Sequence, residues 1–256
     1  MTTMDPPATP APFLTHNETA PGPAVILCDH ASNHVPACVN GGDLGLSDAD
    51  MSRHIAYDVG AAGLAAALAP MLDASAVLSQ FSRLVIDPNR GADDPTLVMK
   101  LYDGSIIPAN RHADAAEVAR RKRAFFDPYH AEVTRVIDRV AARGTPPRLI
   151  SIHSYTPQLR GRPPRPWHVG VLWDRDDRLA GPLIRMLRKD PDLVIGDNEP
   201  YTGQLQGDCM YTHGTLRGLP HVLIEVRNDL IETEAAQRDW AARLAPALKA
   251  LIPVAA

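Results

Sequence analysis

The chain has 256 residues, of which 45% are hydrophobic and 22% charged, and its formal net charge is −4. This length allows one sizeable hydrophobic core or two small ones. The sequence has no large Lys/Arg cluster and no apolar run of membrane-spanning length, so we expect neither a nucleic-acid partner nor a membrane partner. Its three cysteines, Cys28, Cys38 and Cys209, lack paired spacing, which argues against a disulfide framework and fits a cytoplasmic protein.

Strand and helix patterns alternate along the chain after a first segment, residues 1–20, that is rich in Pro, Thr and Ala. This segment lacks the features of a secretory signal and predicts an extended, partly disordered arm. Short apolar runs predict strands at 24–28, 75–79, 83–87, 148–154, 168–174, 192–198 and 221–229. Longer periodic or alanine-rich runs predict helices at 48–72, 114–144 (interrupted at Pro128), 178–190 and 232–252. The alternation predicts an α/β fold over 21–256, a single three-layer domain with a mixed, mostly parallel sheet and helices on both faces.

Two histidines occupy strand ends, where sites collect in such sheets. His30 lies in VILCDHASNHVP, residues 25–36, and His153 in RLISIHSY, residues 148–155. Each histidine alone would most simply be structural. Together, at the ends of neighbouring parallel strands, they predict ligands of zinc or another divalent metal, which needs three protein ligands in a catalytic site.

A third ligand is not obvious near the two histidines. Asn33 is neutral and a poor ligand. Asp58 lies on the apolar side of the predicted helix 48–72, where a carboxylate should not be buried without a partner. Asp58 is therefore either the third ligand or the partner of an arginine, and the sequence leaves both interpretations open.

A glutamate interrupts the apolar strand LIEVRND. A buried Glu225 is costly unless it is paired or functional, and beside a metal-bound water it could act as a general base. Arg227 lies on the same face of the strand. A plain ion pair between Glu225 and Arg227 is the simpler interpretation of this stretch alone.

Two further segments could contact a substrate. In SRLVIDPNR, residues 82–90, Arg83, Asn89 and Arg90 could bind a carboxylate, although a polar turn would give the same pattern. NEPYTG, residues 198–203, and His213 lie in a glycine-rich stretch that could line a cleft or form an ordinary surface loop.

The ordered set of motifs resembles the N-formylglutamate amidohydrolase (deformylase) family from about residue 24 to the final helix. The motifs are HASNHVP, HIAYDVGA, SRLVIDPNR, SIHSYTP, NEPYTG and GLPHVLIEVRNDLI. That family is similar in layout to the zinc carboxypeptidases, so the resemblance implies the same kind of fold, of the phosphorylase/hydrolase type.

The resemblance also implies roles for individual residues. His30 and His153 would be metal ligands, and Glu225, with Arg227 beside it, would be catalytic. The substrate would contact Arg83, the Asn89–Arg90 pair, Asn33 and His213. Asn33 stands where the carboxypeptidases have a glutamate ligand, and we expect Asp58 to replace it.

The expected reaction is metal-dependent hydrolysis of the amide of a small N-acyl amino acid, preferably N-formylglutamate or a related N-formyl compound, to formate and the free amine. A carboxypeptidase-type peptidase and a non-catalytic carboxylate-binding module are the alternatives. Catalysis by a serine or cysteine nucleophile is disfavoured, because strand alternation directs Ser154 away from His153 and Cys28 lies in an apolar run. The sequence leaves the oligomeric state open.

Overall fold

A mixed sheet forms the centre of the computed structural model, which describes residues 11–252. The strands are β1 (Phe13–His16), β2 (Ala24–Cys28), β3 (Ser75–Ser79), β4 (Leu101–Tyr102), β5 (Ser105–Ile106), β6 (Arg148–Tyr155), β7 (Val169–Leu172), β8 (Ile195–Asp197) and β9 (His221–Arg227). The helices are α1 (Asp48–Met51), α2 (Ala61–Met71), α3 (Ala115–Arg121), α4 (Asp127–Ala141), α5 (Ala180–Leu187) and α6 (Glu234–Lys249). Strands β4 and β5 form a separate hairpin, and the other strands form a seven-stranded sheet in the order β1-β3-β2-β6-β9-β7-β8.

The strand directions confirm the predicted mixed, mostly parallel sheet. The four central strands β3, β2, β6 and β9 are mutually parallel. Strand β1 pairs antiparallel with β3, and β7 pairs antiparallel with β9 and parallel with β8. The C-terminal ends of β2, β6 and β9 therefore meet at one edge of the sheet.

Hydrophobic clusters cover both faces of the sheet, which confirms the three-layer arrangement. Ile26, Ile152 and Ile224 face a cluster that includes the apolar sides of α2, α5 and α6. Leu27 and Leu223 face the opposite cluster, which includes the apolar side of α4. Alternation along each strand sends successive side chains to opposite faces, and helices on both faces explain why β2 is apolar throughout.

The predicted helix over 48–72 is wrong in its middle. Helix α1 ends at Met51, and α2 begins only at Ala61. Gly60 has φ +79°, and a Cβ at this position would lie 2.1 Å from the carbonyl oxygen of Ile231, so the close approach requires glycine. The backbone N–H of Asp58 donates to the carbonyl of His30 at 2.9 Å. Asp58 thus lies in an irregular segment beside the end of β2.

The predicted strand over 83–87 is also wrong. This segment forms turns, although residues 84–86 are fully buried in the second cluster. The N–H of Arg83 donates to the carbonyl of Ala56 and the N–H of Asp87 to that of Leu97, at 3.2 and 2.8 Å. The apolar pattern therefore predicted the burial of this segment correctly. These two backbone N–H groups bond to other loops instead of to a neighbouring strand, so no strand forms.

The other predicted strands and helices are present at their predicted places, with shorter ends in several cases. The helical run over 114–144 is not broken at Pro128. A π-helical turn, Lys122–Phe126, joins α3 to α4 just before Pro128, so the change in hydrogen-bond spacing occurs where the proline has no N–H to donate.

The predicted arm over 1–20 needs a new boundary. Residues 13–16 form the edge strand β1, so residues 11–20 belong to the domain, whereas residues 1–10 lie outside the described part of the chain. Within residues 11–252, no helix has the length and apolar character needed to span a bilayer.

Candidate active site

Two histidines and an aspartate meet at the C-terminal edge of the central strands. His30 follows β2, His153 lies near the end of β6, and Asp58 precedes α2. The Oδ2 atom of Asp58 lies 2.8 Å from Nδ1 of His153 and 3.3 Å from Nδ1 of His30. All three side chains are buried, and one ligand atom from each lies within 4.8 Å of the others. The predicted ligand set is therefore brought together.

Each imidazole also contacts a carboxylate through its other ring nitrogen, and this carboxylate differs between the two histidines. Nε2 of His30 lies 2.7 Å from Oδ1 of Asp87, and Nε2 of His153 lies 3.1 Å from Oδ2 of Asp29. The hydroxyl of Tyr129 donates to Asp29 at 2.7 Å. In a neutral imidazole whose Nε2–H donates to that carboxylate, Nδ1 is left free to bind a metal ion on the side of Asp58. Metal-ligating histidines in proteins commonly have this arrangement.

The charges of the cluster fit a divalent cation. Burial alone would raise the pKa of Asp58, but His30 and His153 outweigh it and hold the pKa below its usual range. Arg83 and His30 do the same for Asp87, again against burial. Asp58 and Asp87 contact the guanidinium of Arg83, and Asp29 and Asp58 hold the pKa of His153 well above its usual value against the effect of burial. If both imidazoles act as neutral metal ligands, the three carboxylates leave excess negative charge in a buried space. A divalent cation would balance that charge.

Asp58 contacts both the candidate metal-ligating histidines and an arginine, as the two interpretations of its sequence position predict. Its Oδ2 faces the two imidazoles, and its Oδ1 accepts a hydrogen bond from Nη1 of Arg83 at 3.3 Å. Arg83 also donates to Oδ2 of Asp87 through Nε and Nη2, at 3.2 and 2.8 Å. Arg83 lines the cavity, but its guanidinium is occupied by the carboxylates that surround the cluster.

Glu225 is buried and lines the same cavity as His30, Asp58 and His153. It pairs with His153 in the register of β6 and β9, and its Oε2 has no hydrogen-bond partner among the described residues. Burial raises the pKa of Glu225 to about 7. The simple ion pair with Arg227 is wrong, because the Arg227 guanidinium instead donates to Asp229 at 2.8 Å. A carboxylate with this pKa can accept and return a proton near neutrality.

A cavity of about 400 Å³ opens onto these groups. The lining includes His30, Asp58, His153, Glu225, Asn89 and Arg90, and also Tyr201, Thr202 and Gly203 of the NEPYTG segment. Its size suits a small amino-acid derivative. Oδ1 of Asn89 accepts the backbone N–H of Cys209 at 3.0 Å, and Arg90 donates to the carbonyl of Asn89 at 2.9 Å. These bonds fix the Asn89–Arg90 pair at the cavity wall.

Three predicted site residues are not among the described residues that line the cavity: Asn33, His213 and Arg227. Asn33 is exposed and donates to the carbonyl of Met51, because the loop after β2 turns outward beyond His30. His213 is buried against His130, and Arg227 is held by Asp229. The structure therefore does not bring Asn33 and His213, predicted to contact substrate, or Arg227, predicted to be catalytic, to the cavity wall.

Several residues of the site were not singled out by the sequence. Asp87 falls in the possible polar turn of SRLVIDPNR, although it follows an apolar run that the structure buries. Tyr129 is 100 residues away from Asp29, its partner, and only the fold joins them. Asp208 is a buried residue of the cavity wall, where burial raises its pKa to about 7. No local pattern marks Asp208 in the sequence.

The chain is similar to several known proteins. The model of the N-formylglutamate amidohydrolase family matches residues 22–232. A solved gene product of Agrobacterium tumefaciens is 33% identical, with a TM-score of 0.88 and 94% of each chain covered. The N-formylglutamate amidohydrolase of Ralstonia eutropha JMP134 is 23% identical, with a TM-score of 0.61 and coverage of 94% of this chain and 95% of that one. A metallo-carboxypeptidase of Burkholderia cenocepacia is 15% identical, with a TM-score of 0.41 and coverage of 93% and 60%. No curated protein matches the sequence.

Proposed function

Because the chain belongs to the N-formylglutamate amidohydrolase family and is therefore an amidohydrolase, we propose that it hydrolyses the amide of a small N-acyl amino acid. The preferred substrate is N-formylglutamate or a related N-formyl compound, and the products are formate and the free amine. The observation that carries the proposal is the position of Glu225. It is buried in a cavity shared with His30, Asp58 and His153, and no residue within 11–252 gives its Oε2 a hydrogen bond.

The metal-dependent part of the proposal rests on the donor set. His30, Asp58 and His153 would hold zinc or another divalent ion, with Asp87 and Asp29 orienting the two imidazoles. When bound, such an ion polarises an amide carbonyl and lowers the pKa of water toward 7. Arg83 holds Asp58 and Asp87 in place and limits the repulsion between them.

Glu225 moves the proton in this scheme. Its carboxylate takes a proton from the attacking water, whose oxygen bonds to the formyl carbon, and passes it to the amine nitrogen as the C–N bond breaks. A pKa of about 7 suits both transfers, since the group must release the proton it has accepted. The neighbouring His153 on β6 fixes where the carboxylate lies relative to the cluster.

Asn89 and Arg90 are proposed to hold a carboxylate of the amino-acid part. A guanidinium and an adjacent amide can together make several hydrogen bonds to one carboxylate. The anchoring of Asn89 by the N–H of Cys209 keeps this pair in one orientation.

Free thiols at Cys28, Cys38 and Cys209 support a reducing compartment such as the cytoplasm.

The test is a screen for formate release from N-formyl amino acids, with N-acetyl amino acids and short peptides in the same panel. Each substrate is assayed with the metal-loaded protein, after chelation, and after metal is restored. We expect formate from an N-formyl amino acid bearing a side-chain carboxylate, loss after chelation, and recovery with metal. Preferred peptide cleavage would support a peptidase, and binding of N-formyl amino acids without turnover would support a carboxylate-binding module.

A further inference from the structure

A second group of side chains that could hold a metal ion, which shares no residue with His30, Asp58 and His153, lies beside the loop that carries Asn89. It consists of His130 on α4, Cys209, and His213 in the π-helical turn Tyr211–Thr215. One ligand atom from each residue lies within 4.8 Å of the others. Cys209 and His213 are buried, and His130 is partly buried.

The two imidazoles face each other through nitrogen atoms. Nδ1 of His130 lies 2.8 Å from Nε2 of His213, and the rings stack with centroids 5.1 Å apart and planes 16° apart. Nε2 of His130 lies 3.0 Å from the carbonyl oxygen of Pro88. A carbonyl only accepts, so Nε2 of His130 carries the hydrogen, and in the neutral ring the Nδ1 lone pair points at His213. A histidine whose far nitrogen donates to a carbonyl is oriented as metal ligands are.

Cys209 supplies a soft third ligand. Its side chain is fully buried and forms no disulfide. Two imidazole nitrogens and one thiolate make a donor set that zinc accepts, whereas magnesium and calcium prefer oxygen. The set also differs in kind from His30, Asp58 and His153, which contain no sulfur.

We propose that His130, Cys209 and His213 bind a second divalent metal ion of the zinc class. The ion would replace the hydrogen bond between the two rings, with Nδ1 of His130 and Nε2 of His213 as ligands, and the Cys209 thiol would release its proton to solvent on binding. His130 contacts the carbonyl of Pro88, and the N–H of Cys209 contacts Asn89. The ion would therefore connect α4 and the 209–213 segment to the loop that carries Asn89.

The experiment is cobalt substitution of the full-length protein, because a thiolate bound to Co²⁺ gives an intense near-ultraviolet charge-transfer band that nitrogen and oxygen ligands do not give. We expect the wild-type protein to bind about two equivalents of metal and to show this band. Cys209→Ser should lose the band and one equivalent, and Cys38→Ser, which changes an exposed thiol, should lose neither.

His153→Ala separates this site from the first one, and it does so without relying on activity. This variant should lose one equivalent yet keep the thiolate band, whereas His213→Ala should weaken or abolish the band. The wild-type spectrum tests the proposal even if a buried substitution impairs folding. A wild-type protein that binds a single equivalent and shows no thiolate band would overturn the proposal, as would a band that persists in Cys209→Ser.

Discussion

Glu225 on β9 and His153 on β6 occupy paired positions on neighbouring parallel strands. The backbone of the sheet therefore holds the proposed base and a proposed metal ligand at a fixed spacing. Both side chains are buried and line the same cavity. Rigid strands position functional groups more accurately than loops do. This relationship underlies the predictions for activity.

Glu225→Gln should abolish proton transfer and keep the metal site. The amide has nearly the shape of the carboxylate but cannot act as a base, so we expect kcat to fall by about 100- to 10,000-fold. The measurement is steady-state formate release together with metal content. Glu232→Gln, at an exposed glutamate, is the matched control and should behave like the wild type. Turnover close to wild type in Glu225→Gln would remove Glu225 as the base.

The pH dependence of activity should follow the ionisation of Glu225. Burial raises the pKa of Glu225 to about 7, and only the ionised form can accept a proton. Activity should therefore be highest above this pKa and fall about tenfold per pH unit below it. The measurement is kcat/KM from about pH 5.5 to 8.5, with metal content followed in parallel to detect loss of metal in acid. A flat profile with full metal occupancy would contradict the assignment.

Asp87→Asn should weaken metal binding although Asp87 is not among the proposed ligands. Its carboxylate orients His30 through Nε2, and loss of such a partner typically lowers metal affinity by about 10- to 100-fold. The measurement is competition with a chelator of known affinity, with thermal unfolding recorded to confirm folding. Asp93→Asn, an exposed change in the following loop, is the control. Equal affinities in the two variants would exclude Asp87 from the metal site.

Arg90→Ala should raise KM more than it lowers kcat. Arg90 lines the cavity beside Asn89 and is proposed to bind a carboxylate that does not react, so its loss removes binding common to substrate and transition state. A hydrogen bond to a charged group contributes about 1.5–3 kcal/mol, which corresponds to a roughly tenfold or larger rise in KM. Arg111→Ala, at an exposed arginine, provides the comparison. An unchanged KM would contradict the clamp.

Arrangements that depend on the sheet were predictable from local pattern. His30, His153 and Glu225 each follow or lie within a continuous apolar run, and parallel strands bring such ends to one edge. Asp58 was also identified, but for an incomplete reason. The predicted helix includes Asp58, whereas in the structure α2 begins only after the left-handed Gly60, and the N–H of Asp58 donates to the carbonyl of His30.

Arrangements that depend on loops were not predictable in the same way. Asn33 follows His30 by three residues, yet the loop carries it to the surface, and His213 turns toward α4 rather than toward the cavity. The backbone conformation of such segments depends on tertiary contacts and not on a repeating local pattern. The hydrophobic periodicity of the sequence therefore does not predict it.

The sequence by itself determined the α/β class, the central strands, and the positions of His30, His153 and Glu225 at their ends. The reason is that burial produces apolar runs and periodic patterns that can be recognised in the sequence. Only the tertiary structure decided that both imidazoles turn Nδ1 toward Asp58, that Asp87 and Asp29 contact their Nε2 atoms, and that His130, Cys209 and His213 meet. Those contacts join segments far apart in the chain, and they exist only when packing of the whole domain has fixed the loops between them.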